Sequence, residues 1–240
     1  MRYAHSLGSM SSSRMDKKLK GPLDFINIIL EILEHILTWP DSEDESLVSM
    51  PFILIKLEKK HQRAYIVKSS QIVSFAFPFN VYNKIDSSTG LKHWHVHYKD
   101  LAVTTSVISE CKGLYSDIVS NKNKTYQEIS ASQDLARNEV QNAIKLFEAL
   151  MYLEPGYVRY DYDPQFVNGH KHPLNHLDMN YIPSHHYKLG LHGRLTLKIV
   201  EDLIDNDTDS WYIAKYKESK SEIKNRLRLV ENPKKRKHKR

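Results

Sequence analysis

The chain has 240 residues, 40% of them hydrophobic and 27% charged, which is enough apolar material to bury a sizeable core. It contains no run of about 18 apolar residues, which excludes a membrane-spanning helix. Its single cysteine, Cys111, excludes an internal disulfide and a cysteine-built zinc site, and suits a reducing, cytoplasmic compartment. The net charge of +6 equals the contribution of Lys234, Lys235, Arg236, Lys237, Lys239 and Arg240, so the rest of the chain is neutral on balance and the basic character belongs to a tail.

Residues 1–20 are Ser-rich and polar and lack the apolar centre of a secretory signal. They read as a disordered arm, with Gly8-Ser9-Met10 resembling a cloning remnant and Met10 or Met15 as alternative starts. Pro22 then opens a helix whose apolar positions Leu23, Ile26, Leu30, Leu33 and Leu37 recur at three and four, broadened by Ile28, Ile29, Ile32 and Ile36. Pro40 and the acidic loop Asp41–Glu45 end it. The period then changes to that of strands at Phe52–Leu57, Ala64–Val67, Ile72–Phe77 and His93–Tyr98, with a fifth over Leu101–Ile108. Ser130 and Gln133 have capping-box spacing before a long helix with Ala136, Val140, Ala143, Phe147 and Leu150 on one face, stopped by Pro155-Gly156. Three short strands follow at Tyr157–Tyr162, Leu174–Tyr181 and His186–Leu191, then an amphipathic helix at Leu195–Ile204. Trp211–Tyr216 is ambiguous, and Ile223, Leu227 and Val230 suggest a last helix. The pattern predicts an α+β fold: a mostly antiparallel sheet with one long and several shorter packed helices, as a single domain over 21–231 before a disordered basic tail at 232–240, with a split near residues 109–130 as the alternative.

Two groups of residues carry candidate chemistry. On a strand, His93, His95 and His97 share one face and Trp94, Val96 and Tyr98 the other. Imidazoles at i and i+2 can share zinc or iron with an acid from elsewhere. The plainer and preferred arrangement sends the aromatic face into the core and the histidines to solvent. The second group is Arg159-Tyr160-Asp161-Tyr162-Asp163-Pro164, then His170, His172, His176 and Asp178. Extended strands put Arg159 with Asp161, and His176 with Asp178, on common faces, and antiparallel pairing would gather Asp161, His176 and Asp178. Such a cluster suits a divalent metal, or a histidine general base oriented by a carboxylate. The bland alternative is an Arg159 ion pair with Asp161 or Asp178, a turn at Asp163-Pro164 and a hydrogen-bonded half-buried histidine.

The run Arg159–Pro164, followed by His172-Pro173-Leu174-Asn175-His176-Leu177-Asp178 and then Gly190–Ile204, resembles a bacterial family, domain of unknown function 2290, over roughly residues 157–205. A histidine often stands in that family where this chain has Asp178. The resemblance implies a bacterial setting, often near defence or mobile-element genes, and no particular activity.

Other signals are few. Gly-x-x-x-x-Gly-Lys-Ser/Thr, Gly-x-Gly-x-x-Gly, Gly-x-Ser-x-Gly and His-Glu-x-x-His patterns are absent. Cys111 reads as a small, partly buried side chain rather than a nucleophile. The tail from Pro233 to Arg240 repels itself and suits non-specific phosphate binding, with Lys224, Arg226 and Arg228 extending the cationic track. Three functions fit. The leading one is an accessory protein of a bacterial defence or mobile-element system, touching nucleic acid through the tail and a partner protein through the body. The second is a metal-dependent nuclease or phosphoester hydrolase with Asp161, Asp163, His172, His176 and Asp178 as ligands or acid/base groups and Arg159 or Arg194 neutralising phosphate. The third is an antitoxin or inhibitor whose acidic Asp41–Glu45 loop meets a basic partner.

Overall fold

The computed structural model describes residues 1–8, 19–38, 48–58, 61–85, 87–90, 92–168, 171–180, 187–205 and 208. Among them ten strands and five helices form a mixed, mostly antiparallel α+β fold. No described helix is long and apolar enough to cross a membrane.

The strands are β1 (Arg2–Ser6), β2 (Phe52–Glu58), β3 (His61–Val67), β4 (Gln71–Ala76), β5 (Asn80–Ile85), β6 (Lys92–Tyr98), β7 (Leu101–Val103), β8 (Val158–Tyr162), β9 (Asn175–Met179) and β10 (Tyr187–Leu191). The helices are α1 (Pro22–Thr38), α2 (Thr105–Ser120), α3 (Tyr126–Ala131), α4 (Asn138–Met151) and α5 (Leu197–Ile204). Seven strands make the main sheet in the order β1-β2-β3-β4-β8-β9-β10, and β5-β6-β7 make a smaller one.

The main sheet is buried on both faces, so its central strands read as nearly continuous apolar runs. Ile53, Ile55, Ala64, Ile66, Val73 and Phe75 point into one core, shared with α1, α2, α4 and the small sheet. Phe52, Leu54, Tyr65, Val67 and Ile72 point the other way, into a second core closed by Val200 of α5. Helix α1 buries Ile26, Ile29, Leu30, Ile32 and Leu33 completely, each a gain of about 1.5–3 kcal/mol.

Polar pairs also seat α5 on the second face. Lys56 Nζ meets Asp205 Oδ2 at 2.8 Å with both side chains buried, and Arg2 reaches Glu201 at 3.1 Å. Beside them His61 Nε2 lies 2.8 Å from the Tyr65 hydroxyl. Burial holds His61 below the usual histidine range and outweighs the opposing pull of Asp205.

Several expectations need correction. The arm at 1–20 supplies β1, which pairs with β2 from Arg2↔Lys56 to Ser6↔Phe52 and buries Tyr3 and Ala4. Leu101–Ile108 is not one strand: β7 ends at Val103, and Thr104 caps α2 by accepting from the Val107 amide. The capping box belongs to Thr125 and Glu128 at the start of α3, while the Ser130 hydroxyl only bonds back to Gln127. The Asp41–Glu45 loop, Trp211–Tyr216, the helix suggested at 223–230 and the tail at 232–240 lie outside the described residues.

Cys111 sits at the α2–α4 contact with its thiol 3.4 Å from the Ala143 carbonyl oxygen, and burial pushes its pKa up to about 12. The thiolate is the reactive form, and an ordinary thiol titrates near 8.5. The native protein is therefore expected to resist Ellman's reagent at about pH 8 and to react once unfolded in guanidinium. Rapid stoichiometric labelling of the folded chain would contradict this placement.

Candidate metal and phosphate site

The site grows out of the pairing of β4, β8, β9 and β10. Register places Val73, Arg159, Asp178 and Lys188 in one cross-strand row. The next row holds Gln71, Asp161, His176 and Gly190. Because alternate residues share a face, both rows project into the side of the sheet that carries Val73 and the first core. The intervening Tyr160 and Leu177 face the second core.

Arg159 links the two carboxylates. Its Nε donates to Asp161 Oδ2 at 2.7 Å, its Nη2 donates to Asp178 Oδ2, and its Nη1 reaches the Tyr157 hydroxyl at 3.4 Å. Burial alone would weaken the guanidinium's hold on its proton, but Tyr157, Asp161 and Asp178 together reverse this and raise its pKa. Gln71 Nε2 donates to the other Asp161 oxygen at 2.9 Å.

His176 is 1% exposed, and its tautomer follows from its neighbours. The Pro173 carbonyl, 2.8 Å from Nδ1, can only accept, so Nδ1 carries the proton. Nε2 then offers a lone pair, facing Lys188 Nζ at 2.9 Å, Asp161 Oδ2 at 3.3 Å and Asp178 Oδ1 at 4.0 Å. Lys188 Nζ also lies 3.2 Å from Asp178 Oδ1. Ligating histidines commonly donate the other ring nitrogen to a carbonyl in this way.

Asp161, His176 and Asp178 are the one group of three or more such donors among the described residues, with ligand atoms all within 4.8 Å of one another. Two carboxylates and an imidazole suit a zinc, manganese or iron ion. Asp163 and His172 form a neighbouring pair at 2.9 Å, and that hydrogen bond holds the Asp163 carboxyl below its usual range. The His172 ring stands edge-on to His176 at 4.8 Å, so all five predicted acid/base residues fall in one connected cluster.

A cavity of about 670 Å³ opens beside the cluster, under Leu19 and Ile28. Arg159, Asp161, Asp163 and Arg194 line it, with the Arg194 guanidinium 3.6 Å above the Tyr162 ring. His176 and Asp178 are buried and do not line it.

The other predicted residues do not join this cluster. His93, His95 and His97 stand on β6 in the small sheet, their neighbours Trp94, Val96 and Tyr98 packed on the first core. His170, Lys224, Arg226, Arg228 and the cations of the tail from Lys234 to Arg240 lie outside the described residues. Lys188, Gln71 and Tyr157 were missed. Lys188 was legible in principle, since it alternates with Gly190 on a strand that follows β9, whereas Gln71 comes from a strand about 90 residues away with nothing local to mark it.

No protein-family model, no curated protein and no solved structure matches the chain.

Gly190 tests how the site is held. A Cβ there would lie 2.9 Å from Pro173 Cγ, and Pro173 supplies the carbonyl that orients His176. Gly190→Ala is expected to destabilise the fold by about 1–3 kcal/mol in urea unfolding, the usual cost of overpacking. An unchanged or raised midpoint would show that the proline ring yields freely.

Proposed function

We propose that the chain is a divalent-metal-dependent phosphoester hydrolase whose metal is held by Asp161, His176 and Asp178. The observation that carries this reading is the convergence of those three ligands beside a cavity lined by two arginines. The metal would activate water and polarise a phosphoryl oxygen, and Arg159 and Arg194 would offset the charge that develops on phosphate. Asp163 and His172 form the nearby acid/base pair.

Charge balance supports a phosphate substrate. As it stands the cluster is neutral, with Arg159 and Lys188 opposing Asp161 and Asp178 around an uncharged imidazole. A divalent ion adds two positive charges, which a phosphoester and withdrawal of the Lys188 ammonium from His176 Nε2 would offset. Metal and phosphate should therefore strengthen each other's binding.

Calorimetric titration with Mn²⁺, with and without inorganic phosphate, checks both claims. Wild-type protein is expected to bind the ion more tightly with phosphate present and to hydrolyse bis(p-nitrophenyl) phosphate until EDTA is added. Asp161→Asn, at the cavity wall, is expected to weaken the metal by at least about tenfold with the fold intact by circular dichroism. Absence of any divalent-ion binding, or hydrolysis indifferent to EDTA and to Asp161→Asn, would defeat the reading.

A second reading is favoured by one sequence observation, the six cations within residues 233–240. In it the chain is a cytoplasmic accessory protein of a bacterial defence or mobile-element system that touches nucleic acid through the tail. Removing 233–240 is then expected to weaken gel-shift binding of duplex DNA at low salt and to flatten its salt dependence. Equal binding by both forms at every salt concentration would remove the tail from consideration.

A further inference from the structure

The outer face of the small sheet takes no part in the site described above. Alternation along β5 and β6 sends Val81, Trp94, Val96 and Tyr98 to the core. Asn80, Tyr82 and Lys84 are left with His93, His95 and His97 on the opposite side. The rings there are ordered against one another. Tyr82 lies nearly parallel to His95, with centroids 5.4 Å apart and planes at 12°, and tilts against His97 at 5.6 Å. Its hydroxyl is 3.1 Å from His97 Nε2, and Lys84 Nζ stands 5.6 Å from its centroid. Despite these contacts Tyr82 is 37% exposed. No residue of β5, β6 or β7 is acidic.

A pre-ordered row of flat rings with an ammonium group over one of them, on strands that carry no acidic residue, matches a ligand with flat faces joined by anions. Nucleobases on a phosphate backbone have that chemistry. A duplex hides its base faces in the stack, whereas a single strand presents them to aromatic side chains on a sheet. We propose that the outer face of β5 and β6 is a stacking platform for single-stranded nucleic acid, with Tyr82 stacking a base and Lys84 meeting the backbone. This surface is independent of the metal site and stands whether or not that reading holds.

Fluorescence anisotropy of the full chain with a labelled oligothymidylate of about 15 nucleotides tests the idea, with an oligouridylate of equal length separating deoxyribose from ribose ligands. Tyr82→Ala leaves every charge in place, including the terminal cations, so its effect reports the ring alone. It is expected to weaken single-strand binding roughly tenfold with an unchanged salt slope, and to leave binding of a duplex of the same length unaltered. Tyr82→Phe, which keeps the ring and loses the hydroxyl, is expected to bind like wild type. Lys84→Glu, at an exposed position, gives a second reading without touching the core and is expected to weaken both single-stranded ligands. Single-strand binding by Tyr82→Ala within about twofold of wild type, or an equal loss on duplex, would overturn the proposal, as would wild-type affinity in Lys84→Glu.

Discussion

The arrangement around β8 and β9 depends on Arg159 lying between two carboxylates. Antiparallel register sets Asp178 directly opposite Arg159, and Asp161 is two residues along the same strand face. Carboxylate oxygens within 4.8 Å of each other would repel by about 3–4 kcal/mol at an effective dielectric near 20. The fold meets this with one guanidinium bonded to both and a lysine ammonium brought in from β10. Replacing such a network by apolar residues often costs nothing in stability, whereas breaking it is expensive. The presence of four charges and a buried histidine is therefore weakly explained by stability alone, and this gives the functional reading its weight.

Much of that geometry was readable from the residues. Alternation in Arg159-Tyr160-Asp161 and in His176-Leu177-Asp178 fixes which side chains share a face, and an antiparallel pairing then brings three of them together. The same alternation correctly sent Trp94, Val96 and Tyr98 inward. Helix α2 was not readable, because Val103, Thr104, Thr105, Val107 and Ile108 are β-branched and mimic a strand. What makes it helical is tertiary: Val107, Ile108, Cys111 and Leu114 fall on one buried face, and the helix packs on α1 and α4. Two Ser/Thr-x-x-Glu/Gln patterns compete ahead of α4, and only Thr125 with Glu128 closes in both directions. Strand β1 has a short polar sequence, and pairing with β2 rather than local propensity makes it extended.

The main sheet handles its charges differently on its two faces. On the second face Lys56, Asp205, Arg2 and Glu201 pair at the junction with α5, and the ions serve as a clasp. On the first face the cover by α1 does not extend fully over β8, and a cavity remains between Ile28 of the helix and Arg159 and Asp161 of the strand. The same chemistry, a cation bonded to a buried carboxylate, is sealed in one place and reached by solvent in the other.

Edge-strand physics offers a competing role for Lys188, since an inward-pointing charge on a terminal strand discourages another chain from pairing with it. That role explains why a lysine stands on β10, but not its position. A charge acting only against edge pairing has no need of His176 Nε2, which Lys188 approaches at 2.9 Å, nor of a Pro173 carbonyl fixing the opposite ring nitrogen. A lone pair facing two carboxylates and an ammonium group is the arrangement that the proposed divalent cation would use. Gly190, the residue beside His176 on the neighbouring strand, preserves it by leaving room for the Pro173 ring.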